Sequence, residues 1–520
     1  MRRLAAVALA FLLLGAAAAA GGYLLAIQTI EDTLRGRGFT WERREGTIWY
    51  GLARPGVTVE ALSLRFSEPG AVLWGARVQL DQLDRSRTDG ASGTPGARAL
   101  PSFGRVWAEE LTVQWEETPL AVDLSGELWP TPQLQSADSA VQRGPEGWAV
   151  TLQRPIAHEH VTGTAELTVT GDTELDIRLS VPDAVLSHTM LAEGPLPAQP
   201  LRAALRWVRE SGDLTGTVSL GEAAVSVAGT LSTDRLTADV TAAAIPLEAI
   251  VGLFGRRVPE GERADIRGTI GLEATVSGPP IEWSATVSAD GLGAAGVVSM
   301  LSQLQYGTFS WRAPAPGGGV QLRETGEGHR TWTPLRDGML MAQAAIAAED
   351  ARFRSHPGFD IEGINVALGE LSQGAERPRG GSTITQQLAK NLFLSGERTI
   401  ARKLRELLYA LEMERELGKP RILELYINVV EFGPTTYGVR TAADTYFLKR
   451  PEGLAPQEAA FLAAILPSPR SWYARVASGG RPPGAVVDRI LRNMVHTGAI
   501  SDKTARWAQR EPLVVIPPVP

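Results

Sequence analysis

The hydrophobic rhythm of this chain changes three times along its 520 residues. Leu4 to Ile27 is an uncharged apolar run of 24 residues, about 36 Å as a helix at ~1.5 Å per residue, which matches a bilayer. Arg2 and Arg3 precede it, so the N-terminus is expected in the cytoplasm and the remainder outside it. The small residues Ala16 to Ala20 would suit a cleaved signal peptide, but the apolar run continues through Tyr23, Leu24, Leu25 and Ile27, which favours an anchor. From about 31 to 310 the pattern turns to period two. Thr164–Val169, Leu175–Val181, Thr215–Leu220, Ala224–Leu231, Leu236–Thr241, Thr269–Val276 and Trp283–Ser288 alternate apolar with polar, and short Gly, Asp, Ser or Pro clusters separate them, as in antiparallel hairpins. Ala91–Gly96 is a low-complexity loop, and Pro246–Phe254 carries the spacing of a short amphipathic helix.

Ala313–Gly319, "APAPGGG", marks a linker, and from about 330 to 475 apolar residues recur every three or four positions, which predicts helices. The expected architecture is therefore α+β and multidomain. It has an N-terminal transmembrane helix (1–30), an antiparallel β-rich domain (31–312), a linker (313–329), a mostly helical domain (330–478) and a C-terminal tail (479–520).

Composition removes several classes of function. A net charge of −7 argues against nucleic-acid binding by bulk electrostatics. With no cysteine there is no disulfide framework, zinc–thiolate site or thiol nucleophile, and the six histidines show no HExxH-type spacing. Basic charge is carried by arginine, with only five lysines: Lys390, Lys403, Lys419, Lys449 and Lys503. Four of them fall within the helical region's motifs.

Candidate chemistry is confined to that region. "AAIAAEDARFRSHPGFD" delivers Glu349 and Asp350 at the end of an alanine-rich helix; taken alone, such a pair is commonly a solvated helix end. "RGGSTITQQLAKNLFLSGER" crowds Ser382, Thr383, Thr385, Gln386 and Gln387 together and adds Asn391 with the cations Lys390 and Arg398, which suits a polar, phosphorylated or sugar ligand. It lacks P-loop spacing. Arg402 and Glu406, four apart on a helix from about Ile400 to Leu417, read on spacing as a surface ion pair, with Lys403 beside them. "KPRILELYINVVEFGPTTYGVRTAADTYFLKR" and the proline-bounded "PQEAAFLAAILPSP" read as structural.

In order, these segments resemble the peptidoglycan glycosyltransferase family (glycosyltransferase family 51), in its monofunctional biosynthetic transglycosylase branch. The patterns ED-x-x-F-x-x-H-x-G, GGSTITQQ-x-x-KN, RK-x-x-E and K-x-x-ILE-x-Y-x-N recur with the family's order and spacing over about 333–472. The resemblance implies a lysozyme-like helical fold that polymerises lipid II into β-1,4 glycan strands with inversion, releasing undecaprenyl pyrophosphate. It also implies Glu349 as general base and Glu406 as a second carboxylate. Asp350, Ser382, Thr383, Gln386, Gln387, Lys390, Asn391, Arg398, Arg402 and Lys403 are the implied substrate-binding residues. No cofactor is required, although Mg2+ or Mn2+ near Glu406 is compatible with the family.

Expected partners are lipid II, the lipid-linked glycan strand, inner-membrane lipids and other cell-wall synthesis proteins. The expected location is the inner membrane, single-pass, with the catalytic part in the periplasm. No lysine has serine three positions before it, so a Ser-x-x-Lys transpeptidase is absent. Ile361–Leu371 corresponds to the family's membrane-facing subdomain, and Leu448 stands where the family has glycine. The stretch "IPLEAIVGLFGRRVPEGERADIRGTIGLEATVSGPPIEW" resembles the repeating unit of AsmA-like periplasmic proteins, whose sheets associate with lipid through an apolar face; the alternative is a β-rich spacer without a ligand. Against the enzyme stand two other readings: a lytic transglycosylase, which would need no cation cluster, and a lipid-handling or scaffold protein with a degenerate transferase domain.

Overall fold

The computed structural model describes the backbone of strand residues between 64 and 157, and residues 160–518 apart from 172, 233–234, 279, 376–380, 395 and 398. The expected anchor at Leu4–Ile27 and the loop at Ala91–Gly96 lie outside the described residues. Among those described, no helix is long and apolar enough to cross a membrane.

The period-two segments build one 16-stranded antiparallel sheet, in which each strand from Val106–Trp115 to Glu282–Ala295 pairs with its successor. Alternation places the two faces. Along Glu174–Leu186, Leu175 and Ile177 are buried while Glu174, Asp176 and Arg178 are exposed. Leu175 lies opposite Trp207 and Ile177 opposite Leu205, so apolar residues of neighbouring strands share one face. Every alternating segment predicted from sequence falls within an observed strand. The short helix α1 (Leu247–Gly252) closes one strand of this sheet, and α2 (Leu301–Gln305) follows the last.

The Gly/Pro run expected to be a linker is instead the tip of a hairpin, with strands Thr308–Pro314 and Val320–Gly326. Phe309, Trp311 and Ala313 are its buried face. The tip is tied to the helical part, because Tyr437 Oη donates to the Pro314 carbonyl at 3.1 Å and Arg470 donates to the carbonyls of Pro314 (2.9 Å) and Ala315 (3.3 Å).

The helical part begins with α3 (Leu340–Glu349), α4 (Ile361–Ser372), α5 (Ile384–Phe393) and α6 (Ile400–Val429). Helix α6 is two helices end to end. Gly418, at φ +71°, breaks the ladder, and Pro420 falls in the first turn of the second piece. Next come α7 (Val439–Phe447) and α8 (Pro456–Ile465). Helix α8 is buried on all sides, with Ala459, Ala460, Phe461, Leu462 and Ala463 fully enclosed, as a proline-bounded apolar segment should be.

Beyond α9 (Pro469–Ala477), the residues expected to be a tail form α10 (Gly484–His496) and α11 (Asp502–Arg510). Helix α10 buries Val487, Ile490, Leu491 and Met494 and packs on α3 and α8, so the helical body extends past 478. Leu448 caps α7 in the left-handed region, at φ +53° and ψ +37°, the one described non-glycine residue with positive φ. Helix α4, expected to face the membrane, lies on the last sheet strand: Asn365 pairs with both the N–H (2.8 Å) and the C=O (2.9 Å) of Val287. One hydrophobic core joins the sheet's end to the helices.

Candidate active site

Helix α3 ends on Glu349, and Asp350 is its C-cap. The two carboxylates part at once. Asp350 turns inward and is 6% exposed. One oxygen pairs with His356 Nε2 at 2.8 Å, and the other accepts the Ile384 N–H at 2.9 Å. Because His356 Nδ1 accepts from the Gly358 N–H, Nε2 carries the proton donated to Asp350. Gly358, at φ +90°, sits against α6, where a Cβ would lie 2.7 Å from Glu414 Cγ, and its carbonyl accepts from Thr383 Oγ1 at 2.6 Å. Asp350, His356, Gly358 and Thr383 thus fasten the end of α3 to the start of α5.

Helix α5 opens with a reciprocal capping box in which Gln386 N–H donates to Thr383 Oγ1 (3.1 Å) and Thr383 N–H donates to Gln386 Oε1 (3.2 Å). Thr383 Oγ1 and Gln386 Oε1, on residues expected to bind substrate, are therefore engaged in the fold. Thr385 donates to Glu414, which Lys419 also holds. Gln387 faces the opposite way. Its Nε2 donates to Glu349 Oε2 at 2.8 Å, and its Oε1 accepts from Tyr426 Oη at 3.0 Å. Tyr426, fully buried, lies in the segment that reads as structural from sequence; the signal for its polar role is the tyrosine of the K-x-x-ILE-x-Y-x-N pattern.

The Arg402–Glu406 pair expected on the surface is buried. Glu406 is 2% exposed, Arg402 Nη1 lies 3.0 Å from one of its oxygens, and Lys403 hydrogen-bonds to the other. Lys403 also donates to Ser382 Oγ at 2.7 Å, tying α6 to the loop before α5. Arg402 Nε is buried with no partner among the described residues. Lys390, one turn beyond Gln387, lies within electrostatic reach of both Glu349 and Glu406, and no ion pair with another described residue holds its ammonium. Asn391 follows it and is partly buried; Arg398 lies outside the described residues.

The profile of a family described as Transglycosylase matches residues 319–494. A protein of Shewanella amazonensis named biosynthetic peptidoglycan transglycosylase is 41% identical over 211 residues, covering 39% of this chain and 81% of that protein. The chain belongs to the transglycosylase family. A relative of the same printed name from Aeromonas hydrophila is 45% identical over 33% of this chain and 72% of its own length. Another, from Thiobacillus denitrificans, is 47% identical over 27% of this chain and 61% of its own length. The transglycosylase match begins at residue 319, so the large sheet lies outside it.

The electrostatics of the transglycosylase site follow from burial. Burial raises the proton affinity of Glu349 above that of an ordinary carboxylate; the Gln387 hydrogen bond and the Lys390 charge oppose this, and Asp350 adds to it. Burial lowers Lys390 below the usual lysine range, against the attraction of Glu406. Tyr426 is raised well above its ordinary value, first by burial and then by the neighbouring Glu349 and Asp350, so it remains a hydrogen-bond donor. A carboxylate of raised proton affinity beside a half-buried cation is an arrangement suited to proton removal coupled to departure of an anion.

A divalent ion near Glu406 fits these residues poorly. Both carboxylate oxygens are engaged by cations, and Lys390 adds a third positive charge nearby. Among the described residues, no three His, Asp or Glu side chains converge as a ligand set.

Proposed function

We propose that this transglycosylase-family chain is a peptidoglycan glycosyltransferase that joins a lipid-linked glycan strand, the donor, to lipid II, the acceptor. Glu349 removes the proton from the acceptor sugar hydroxyl as its oxygen attacks the anomeric carbon of the donor. The anomeric bond to pyrophosphate breaks, the electron pair leaves on undecaprenyl pyrophosphate, and an α-linked donor becomes a β-1,4 product. Positioned general bases contribute roughly 10² to 10⁴ in rate.

The observation that carries this reading is the placement of Lys390 within electrostatic reach of Glu349, whose carboxylate Gln387 holds at 2.8 Å. Glu349 is a carboxylate of raised proton affinity; Lys390 is a half-buried ammonium not ion-paired to any described residue. Gln387, held by Tyr426, orients the Glu349 carboxylate. Lys390 and the free Nε of Arg402 are proposed to receive the pyrophosphate, with Arg398 and Asn391 as further contacts. Glu406 is proposed to act through the cations it orients, Arg402 and Lys403, and no step is routed through a metal ion. Ser382 orients Lys403.

The proposal extends to location. Leu4–Ile27 anchors the chain once in the inner membrane, with the transferase on the periplasmic side near lipid II, membrane lipids and other cell-wall synthesis proteins. It also assigns the β-rich half a lipid-facing, AsmA-like role. The test is glycan-strand synthesis from labelled lipid II by the full chain in detergent, with and without added Mg2+ or Mn2+. Polymer together with released undecaprenyl pyrophosphate is expected. Folded protein that makes no polymer under either condition contradicts the reading and favours a scaffold protein with a degenerate transferase domain.

A further inference from the structure

The β-rich half holds helix α6 at four successive levels. At its start, the Ile400 and Ala401 N–H groups donate to the carbonyls of Met190 (2.8 Å) and Leu191 (3.0 Å), so amides that a helix leaves unpaired are satisfied by the other half. One turn on, Glu260 accepts from Arg405 Nε (2.9 Å), Arg405 Nη2 (2.8 Å) and Tyr409 Oη (3.1 Å). Next, the Glu412 carboxylate accepts from the N–H groups of Gly296 (2.9 Å), Val297 (2.7 Å) and Val298 (2.6 Å). Last, Arg415 donates to the Ala294 carbonyl at 3.0 Å, and Gln305 donates to the Glu416 carbonyl at 3.3 Å.

Residues 401, 405, 409, 412 and 416 fall three or four apart and form one stripe of α6. Arg402 and Glu406 lie on the adjoining face. Glu260 is the most enclosed charge in this grip, at 1% exposure, and sits in a short 3-10 turn, Pro259–Glu262, well before the family match begins. A buried ion pair is a poor stabiliser compared with an apolar contact of similar size, and its best-attested use is to fix one arrangement among several. The grip also reaches the neighbouring helix. The Tyr409 ring stacks on Phe393, the last residue of α5, with centroids 4.5 Å apart and planes 9° from parallel. Helix α5 carries Gln387 and Lys390.

We propose that Glu260 is a positioning residue for glycosyl transfer: by holding Arg405 and Tyr409 it sets the rotation of α6, and through Phe393 the seat of α5. The placement of Arg402, Glu406 and Lys390 relative to Glu349 then depends on a residue of the β-rich half. This role rests on the glycosyltransferase reading above.

The test is steady-state polymerisation of lipid II by the full chain, with kcat and KM measured separately for wild type, Glu260→Gln and Tyr409→Phe, and Tm recorded for each. Glu260→Gln is expected to lower kcat about tenfold with KM changed less than about twofold, because a misplaced charge weakens an interaction made chiefly in the transition state. Tyr409→Phe keeps the ring stack and removes one hydrogen bond, so a drop in kcat of about threefold is expected in the same direction. Wild-type kcat in both variants with a lowered Tm would overturn the proposal and leave Glu260 as a fastener between the two halves. If Glu260→Gln does not fold, Tyr409→Phe decides: wild-type kcat there overturns the role. A folded wild type that makes no polymer removes the reading on which the role depends.

Discussion

The large sheet and the helical body handle polar groups in opposite ways. In the sheet they alternate out to water, and an ion pair such as Arg206–Glu174 leaves 58% and 52% of the two side chains exposed. In the helical body several carboxylates point inward and are met by specific donors. Asp350, Glu406 and Glu412 are all enclosed, and each is met by named donors. The sheet is specified by a pattern that tolerates exchange of its outward residues, whereas the helical body is specified by particular partners, and breaking one leaves a buried charge uncompensated. Lys390, beside Glu349, and the unpartnered Nε of Arg402 depart from that matching.

This contrast can be broken or sharpened by substitution. The largest effect on stability should come from Asp350→Ala, which removes the acceptor of His356 and of the Ile384 N–H. A loss of about 3 kcal/mol, measured by denaturant unfolding, is expected for two buried hydrogen bonds to a charged group. A loss within 0.5 kcal/mol, the range expected of a surface substitution, would show that the inward carboxylates are not the specifying contacts.

Next in size is a pH effect. Glu349 works ionised and its proton affinity is raised, so kcat/KM should fall, as pH drops, at values above the ordinary carboxylate range. An acid limb within the ordinary range would contradict the burial argument. Smaller again, Leu448→Gly should stabilise the fold by about 0.5–1 kcal/mol, since the left-handed conformation there burdens a side chain but not glycine. Thermal unfolding that shows no gain would mean the exposed Leu448 side chain compensates through contacts of its own. Smallest of all, Glu174→Gln should leave Tm unchanged, because exposed ion pairs contribute little; a clear drop would blur the distinction between the two regions.

Sequence reading followed the same divide. The sheet was legible because alternation is a local property, and the strands from Thr164 to Ser288 fell where the pattern put them. Gln199–Val208 is less legible although Ala203, Leu205 and Trp207 alternate, because its Ala, Leu and Arg content favours helix and competes with the pattern. The hairpin at Thr308–Gly326 was lost to the Pro and Gly residues of its own turn. In the helical body, motifs located the site, but residue type does not reveal where a polar group is engaged. Thr383 and Gln386 are held in a helix cap, while Gln387 beside them reaches Glu349. The spacing of Arg402 and Glu406 allows a surface pair and does not report burial, which is set by tertiary packing and not by local spacing. Glu260 had no local signal at all.

The account turns on Glu349 as the base, and one paired measurement addresses it: polymer synthesis from lipid II and thermal unfolding of Glu349→Gln beside wild type. The folded state binds the Glu349 proton more tightly than the unfolded chain does, so the ionised carboxylate lowers stability as pH rises through its raised value. Replacing it with neutral glutamine removes that penalty at neutral pH, and the amide still accepts from Gln387. The expected result is polymer reduced by at least about 10²-fold with Tm held or raised. Polymer at the wild-type rate from a folded Glu349→Gln protein would contradict the assignment.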